Sequence, residues 1–246
     1  MGGLGGLVLL TTPGVPGVAA SAPVATNSTV RGEEDNNILL AQSLKGLLPT
    51  KTVSLTPEEE EKITALLSQK LNLEVSVRLS GIRLNKSYGL IGGEQHLYRY
   101  PGDNLYQHFN SATDWAMYGS AGIAPHLGAW GYFAPSKDQF TQEDSQREKY
   151  YLAVQTFLAP GFAENVDKYR DFFKFRKMLV VNPLSGQAVV AVVGDAGPAQ
   201  WTGKDLGGSP EVMQALGLAS GPRKGAVLYF FIDDPSNIAP LGPVKI

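Results

Sequence analysis

Apolar positions change their spacing several times along this chain, and each change marks an element. Over residues 57–71, Ile63, Leu66, Leu67 and Leu71 recur at helical spacing. Thr56 stands where a cap belongs, Pro57 suits the first turn, and Glu58 to Glu61 favour the positive end of the helix dipole. Residues 73–84 alternate apolar and polar, which predicts a strand. Residues 85–143 lose all period and are rich in Gly, His, Tyr and Trp, the mark of a long functional loop. A helical pattern returns over 144–158, with Tyr151, Val154, Phe157 and Leu158 on its apolar face, and Pro160-Gly161 closes it. A short helix is expected at 164–174. Met178–Val181 and Ala188–Val193 are apolar runs joined by Asn182-Pro183-Leu184-Ser185-Gly186, a hairpin that ends at Gly194-Asp195. Ser209 caps a short helix with Pro210 first, Glu211 in its first turn and Gly217 past its end. Ala226–Ile232 is a continuous apolar run, so it predicts a strand buried on both faces. No repeat of fixed period is present.

Composition narrows this picture. Hydrophobic residues make up 43% and charged residues 18%, enough apolar content for a sizeable core. The 28 Gly and 16 Pro favour a turn-rich, β-containing fold over a helical bundle. Net charge is −2 with no basic patch, which argues against a nucleic-acid partner. The absence of Cys excludes disulfides, thiolate metal sites and a Cys nucleophile. Residues 1–22 are apolar and then small-residue rich, and Ala20-Ser21-Ala22 is the A-x-A pattern that a signal peptidase cleaves after, so they read as an export signal; the competing reading is a Gly/Ala/Pro tail. Residues 23–55, punctuated by Gly, Pro, Asn and Ser, read as a mostly flexible linker. No apolar run reaches the ~20 residues that span a bilayer, so the chain is not expected to cross a membrane.

Three segments carry a resemblance. LVVNPLSGQAVVAVVGDAGP, then KDLGGSPEVMQALGL, then KGAVLYFFID, resemble rare lipoprotein A and related double-psi β-barrels. Asp195-Ala196-Gly197-Pro198 matches that family's Asp-x-Gly-Pro, and Asp205-Leu206 matches its Asp-Leu-Ser, with Gly207 in place of Ser. The match covers residues 178–232. It implies a mainly β fold with helical insertions: a six-stranded double-psi barrel in the C-terminal part, preceded by a helix and an aromatic-rich insert. The domain is then 56–246, with the insert at about 85–177. The family includes peptidoglycan lytic transglycosylases, expansins and a group of cellulases, so the implied partner is a cell-wall polysaccharide and the implied compartment extracytoplasmic. The family's Thr-Ala-Ala-His segment has no counterpart, since residues 144–177 contain no His.

Glycosidic cleavage needs an acid that protonates the leaving oxygen. Asp195, among Gly194, Ala196 and Gly197, is the leading candidate, and Asp205 is the candidate partner carboxyl. The alternative for both is a turn-stabilising role. Trp201, between the two aspartates, and Trp130 and Tyr132 in the long loop are candidates for stacking on sugar faces, with His126 beside them. His96, Asp103 and His108 can converge on a metal, but no metal-binding helical spacing is present, and hydrogen-bonding histidines are the expectation. No cofactor is expected, since nucleophile-elbow and nucleotide-binding glycine patterns are lacking. Three functions follow: a glycan-cleaving enzyme, a non-catalytic expansin-like binding module, or a barrel scaffold for protein contacts.

Overall fold

In a computed structural model, Gly2 and residues 26–246 are described. The export-signal reading of residues 1–22 therefore lies outside the described residues, apart from Gly2. Two helices lead, α1 (Thr26–Lys45) and α2 (Pro57–Leu71). Thr56 caps α2 in a full capping box, accepting from Glu59 N at 3.3 Å while Glu59 Oε2 accepts from Thr56 N at 2.7 Å. Three short strands follow, β1 (Val75–Ser76), β2 (Arg78–Leu79) and β3 (Ile82–Arg83), then β4 (Tyr88–Gly93). Next come α3 (Ala112–Tyr118), α4 (Gln142–Lys149), β5 (Tyr151–Val154), α5 (Val166–Phe173), β6 (Lys177–Val181) and β7 (Ala188–Ala196). The chain ends with β8 (Leu206–Gly208), α6 (Pro210–Ala215), β9 (Lys224–Ile232) and β10 (Gly242–Pro243). Among the described residues, no helix is long and apolar enough to cross a membrane.

Strands β4 to β9 close into a six-stranded mixed barrel. β4 runs parallel to β8 and antiparallel to β9. β5 runs parallel to β7 and antiparallel to β8. β6 lies antiparallel between β7 and β9 and completes the ring. A half-turn that exchanges β4-β5-β6 with β7-β8-β9 reproduces all six pairings, direction included.

Burial on both faces explains the apolar runs of β6, β7 and β9. Met178, Val180, Val189, Ala191, Val193, Val227, Tyr229 and Phe231 belong to one core with Phe172, Phe173 and Met213. Their neighbours Leu179, Val181, Ala188, Val190, Leu228 and Phe230 face a second core against Leu40 and Leu44 of α1 and Ile63 and Leu67 of α2. With no solvent face, the alternation ordinary in a half-exposed strand disappears.

Four expectations are corrected here. The stretch read as a flexible linker contains α1, and Leu40 and Leu44 are buried; each such burial stabilises by about 1.5–3 kcal/mol. The barrel is not confined to the C-terminal part, because β4 and β5 lie within the 85–177 stretch read as an insert. The single strand expected at 73–84 is broken by a β2–β3 hairpin, whose turn residues Ser80 and Gly81 have φ of 50° and 79°. The helix expected over 144–158 ends at Tyr150, and Tyr151–Val154 leaves it to pair with β7 and β8, with all four residues buried. Two strands awaiting a partner outweigh the helical spacing of that segment.

Candidate functional site

Asp195 sits at a bulge near the end of β7. Leu152 pairs with Val193, but Ala153 pairs with Asp195, so Gly194 is the extra residue. A Cβ on Gly194 would come within 2.6 Å of the Tyr151 Cβ, which is why glycine stands there. Asp195 Oδ1 accepts from Ala129 N at 2.7 Å and from Ala196 N at 2.8 Å. Both bonds fall on one oxygen, and Oδ2 takes none among the described residues. Burial raises the proton affinity of this carboxyl above the ordinary aspartate range, although the two N–H donors oppose that.

The loop that supplies Ala129 also carries three of the sequence-predicted residues. Gly131 N donates to Gly128 O at 2.9 Å and tightens the loop. A Cβ on Gly128 would lie 3.3 Å from Gly194 O, so loop and strand approach closely. Trp130 is half-buried and packs on the barrel core, while His126 and Tyr132 are exposed. The structure thus brings this loop to Asp195. Three cavities open elsewhere, and Asp195 lines none of the three. One of about 480 Å³ lies among Gln146, Arg147, Arg176 and Asp234, one of about 570 Å³ among Leu71, Val190 and Ile238, and one of about 710 Å³ between α1 and Pro183–Ser185.

Asp205 occupies a different position. Its Oδ1 accepts from Lys86 Nζ at 2.7 Å and its Oδ2 from Leu90 N at 2.8 Å. Both oxygens are engaged and the charge is balanced. Strand β5 separates the two aspartates: Ala153 pairs with Asp195 on one side and with Gly207 on the other. That places them two strand spacings apart, about 9.5 Å laterally. Trp201 lies in the loop from β7 to β8 and is 89% exposed. Gln155 Nε2 ties that loop across the end of β5, donating to Pro198 O at 2.9 Å and Lys204 O at 3.2 Å.

A second group of polar residues is fully internal. Glu148, in the last turn of α4, is the hub. His96 Nδ1 lies 3.2 Å from its Oε1, and Arg99 Nη2 2.7 Å from its Oε2. His108 Nε2 meets Asp103 Oδ2 at 2.9 Å. Burial alone would raise the proton affinity of Glu148, but its contacts with His108 and His96 and the Arg99 charge reverse this and hold it well below the carboxylate range. For His108, burial opposes protonation, and the Asp103 and Glu148 carboxylates outweigh it and raise its proton affinity. The convergence of His96, Asp103 and His108 was legible in the sequence as a candidate. Glu148 was not, because it stands in a polar helical run that reads as a solvated face.

Glu211, at the start of α6, was read only as a first-turn residue of the helix that Ser209 caps. Burial, and after it the Glu148 charge, push its carboxyl from 4.5 up to about 7, and its Oε2 is buried without a hydrogen-bond partner. The folded chain therefore keeps a proton there that the unfolded chain releases near pH 4.5. Stability from this group is present at low pH and is lost as pH rises through about 7. The loss amounts to about 3 kcal/mol. Urea unfolding at pH 4.5 and pH 8 is expected to show a smaller loss across that interval in Glu211→Gln than in the parent chain; equal losses would mean that Glu211 is ionised throughout. Comparison with known proteins finds no matching family model, no matching curated protein and no matching solved structure.

Proposed function

We propose that this chain is an extracytoplasmic, polysaccharide-acting protein on a double-psi barrel, closest in chemistry to a peptidoglycan lytic transglycosylase, with Asp195 as the acid/base. The observation that carries this reading is the Asp195 carboxyl: half-buried, raised in proton affinity, anchored through one oxygen and free at the other. A carboxyl whose proton affinity is raised by burial and which presents an unengaged oxygen is suited to protonate a leaving glycosidic oxygen. The two parallel pairs, β4 with β8 and β5 with β7, exchanged by a half-turn, support the double-psi assignment. Asp205 has both oxygens engaged, one by Lys86 and one by Leu90 N, so the reading assigns the chemistry to Asp195 alone. That favours intramolecular attack by the sugar's own hydroxyl over two-carboxyl hydrolysis. The test is incubation of the purified chain with peptidoglycan and mass analysis of the soluble products. Ring-closed fragments, lighter by one water than hydrolytic ones, are expected; intact polymer after prolonged incubation would sink the reading.

The solvent-facing indole of Trp201 favours a second reading, a non-catalytic binding module. In that case Trp201→Ala weakens co-sedimentation with insoluble glycan up to about tenfold, the loss of about 0.5–1.5 kcal/mol of ring stacking, while no products appear with either form. Unchanged co-sedimentation would remove Trp201 from the binding surface.

A further inference from the structure

His96, His108 and Glu148 are each 0% exposed at the side chain, and one ligand atom from each lies within 4.8 Å of the others. We propose that these three hold a structural transition-metal ion of the zinc class, which clamps the irregular segment 94–109 onto α4. This proposal does not depend on the glycan-acting reading.

The spacing is the first support. His96 Nδ1 is 3.2 Å from Glu148 Oε1, and His108 Nδ1 is 3.3 Å from Glu148 Oε2. Ligands bound to zinc at 2.0–2.1 Å on a tetrahedron lie about 3.3–3.4 Å from one another; the two contacts fall on different oxygens of Glu148, and the three ligand atoms, one per residue, lie within 4.8 Å, so they draw together around an ion. The second contact is not aligned as a hydrogen bond: His108 Nδ1 is buried with no partner. A buried imidazole nitrogen left idle is costly, and metal ligation would satisfy it.

The surroundings are the second support. His108 turns its other nitrogen to Asp103 Oδ2 at 2.9 Å. That is the carboxylate–imidazole pairing which fixes the tautomer of a ligating histidine and leaves the opposite lone pair for the ion. Asp103 is itself held, accepting from Arg99 N at 2.8 Å and from Asn104 N at 2.9 Å. Arg99 Nε donates to Glu148 Oε2 at 2.9 Å, and its Nη2 lies 2.7 Å from the same oxygen as an ion pair. The carboxylate is thereby oriented with Oε1 turned to His96. Two imidazoles and one carboxylate suit zinc or cobalt and not calcium or magnesium, which prefer oxygen alone. Complete burial closes the site to substrate, so the ion's role is structural.

The test uses the full chain. Elemental analysis of the purified protein is expected to find zinc at one ion per chain, and exchange into cobalt(II) to give the visible bands of a tetrahedral centre. Chelation should lower the Tm, and added zinc should restore it. His96→Ala and His108→Ala should abolish metal retention. Asp103→Asn keeps all three ligands and should weaken zinc binding about 10–100-fold; this separates a lost site from a lost fold. A metal-free chain that shows no cobalt bands, and whose Tm responds neither to chelator nor to zinc, would overturn the proposal. The cluster would then be an ion-pair network balanced by a proton on His108.

Discussion

Asp195→Asn is expected to lower the release of soluble glycan fragments by about 10²–10⁴-fold, the usual contribution of a positioned general acid, with the Tm little changed. The amide oxygen of Asn can still accept from Ala129 N and Ala196 N, so the anchoring of the loop to β7 survives. What is lost is a carboxyl that can donate a proton from its outer oxygen. The pH profile supplies a check that a structural role would not move. A general acid must start protonated, so activity is lost as pH rises through its pKa. Burial raises that pKa, which places the falling limb above the ordinary aspartate range. Fragment release by Asp195→Asn equal to that of the parent chain would remove Asp195 from the reaction.

Gly186→Ala is expected to be the most destabilising of the small substitutions considered, by up to about 4–8 kcal/mol. Gly186 has φ of +75°, and a Cβ there would overlap the Asn37 carbonyl of α1. The left-handed backbone alone costs an alanine about 1–2 kcal/mol. The overlap adds the displacement of α1, which exposes Leu40 and Leu44, each worth about 1.5–3 kcal/mol when buried. Gly81→Ala is the control. Its φ is +79°, but nothing lies within 4 Å of its Cβ position, so only the backbone cost remains. Urea midpoints for the two variants give the comparison, and equal shifts would mean that α1 does not rest on the 182–187 turn.

How far the fold can be read from sequence depended on where each element finds its partner. The β6–β7 hairpin and β9 were legible because burial on both faces writes itself as unbroken apolar runs. β4 was hidden by its glycines. At Gly92 a Cβ would fall 2.5 Å from the Lys204 Cδ and push that side chain aside, a constraint set by a residue more than a hundred positions away. β5 was hidden because its four apolar residues also fit a helical face, and only the docked neighbours decide between the two. α1 was hidden because Gly and Pro flank it and its apolar side is narrow. In the site, Asp195 was legible from the small residues around it. Glu148 and Glu211 were not, since a helical Glu reads as solvated until another element covers it.

The half-turn arrangement of the barrel also bears on how the chain folds. Only β6 and β7 are neighbours both in sequence and in the ring. Every other pairing joins distant segments; the bond from Leu90 N to the Asp205 carboxylate spans 115 residues. Closing such loops costs entropy before the contacts they enable can compensate. The hairpin is therefore the natural nucleus, and α1 has no completed surface to dock on until β9 joins it. A nascent chain holds β4 and β5 as unpaired apolar strands until β7 and β8 have been synthesised, which makes late closure the vulnerable stage of this protein's life.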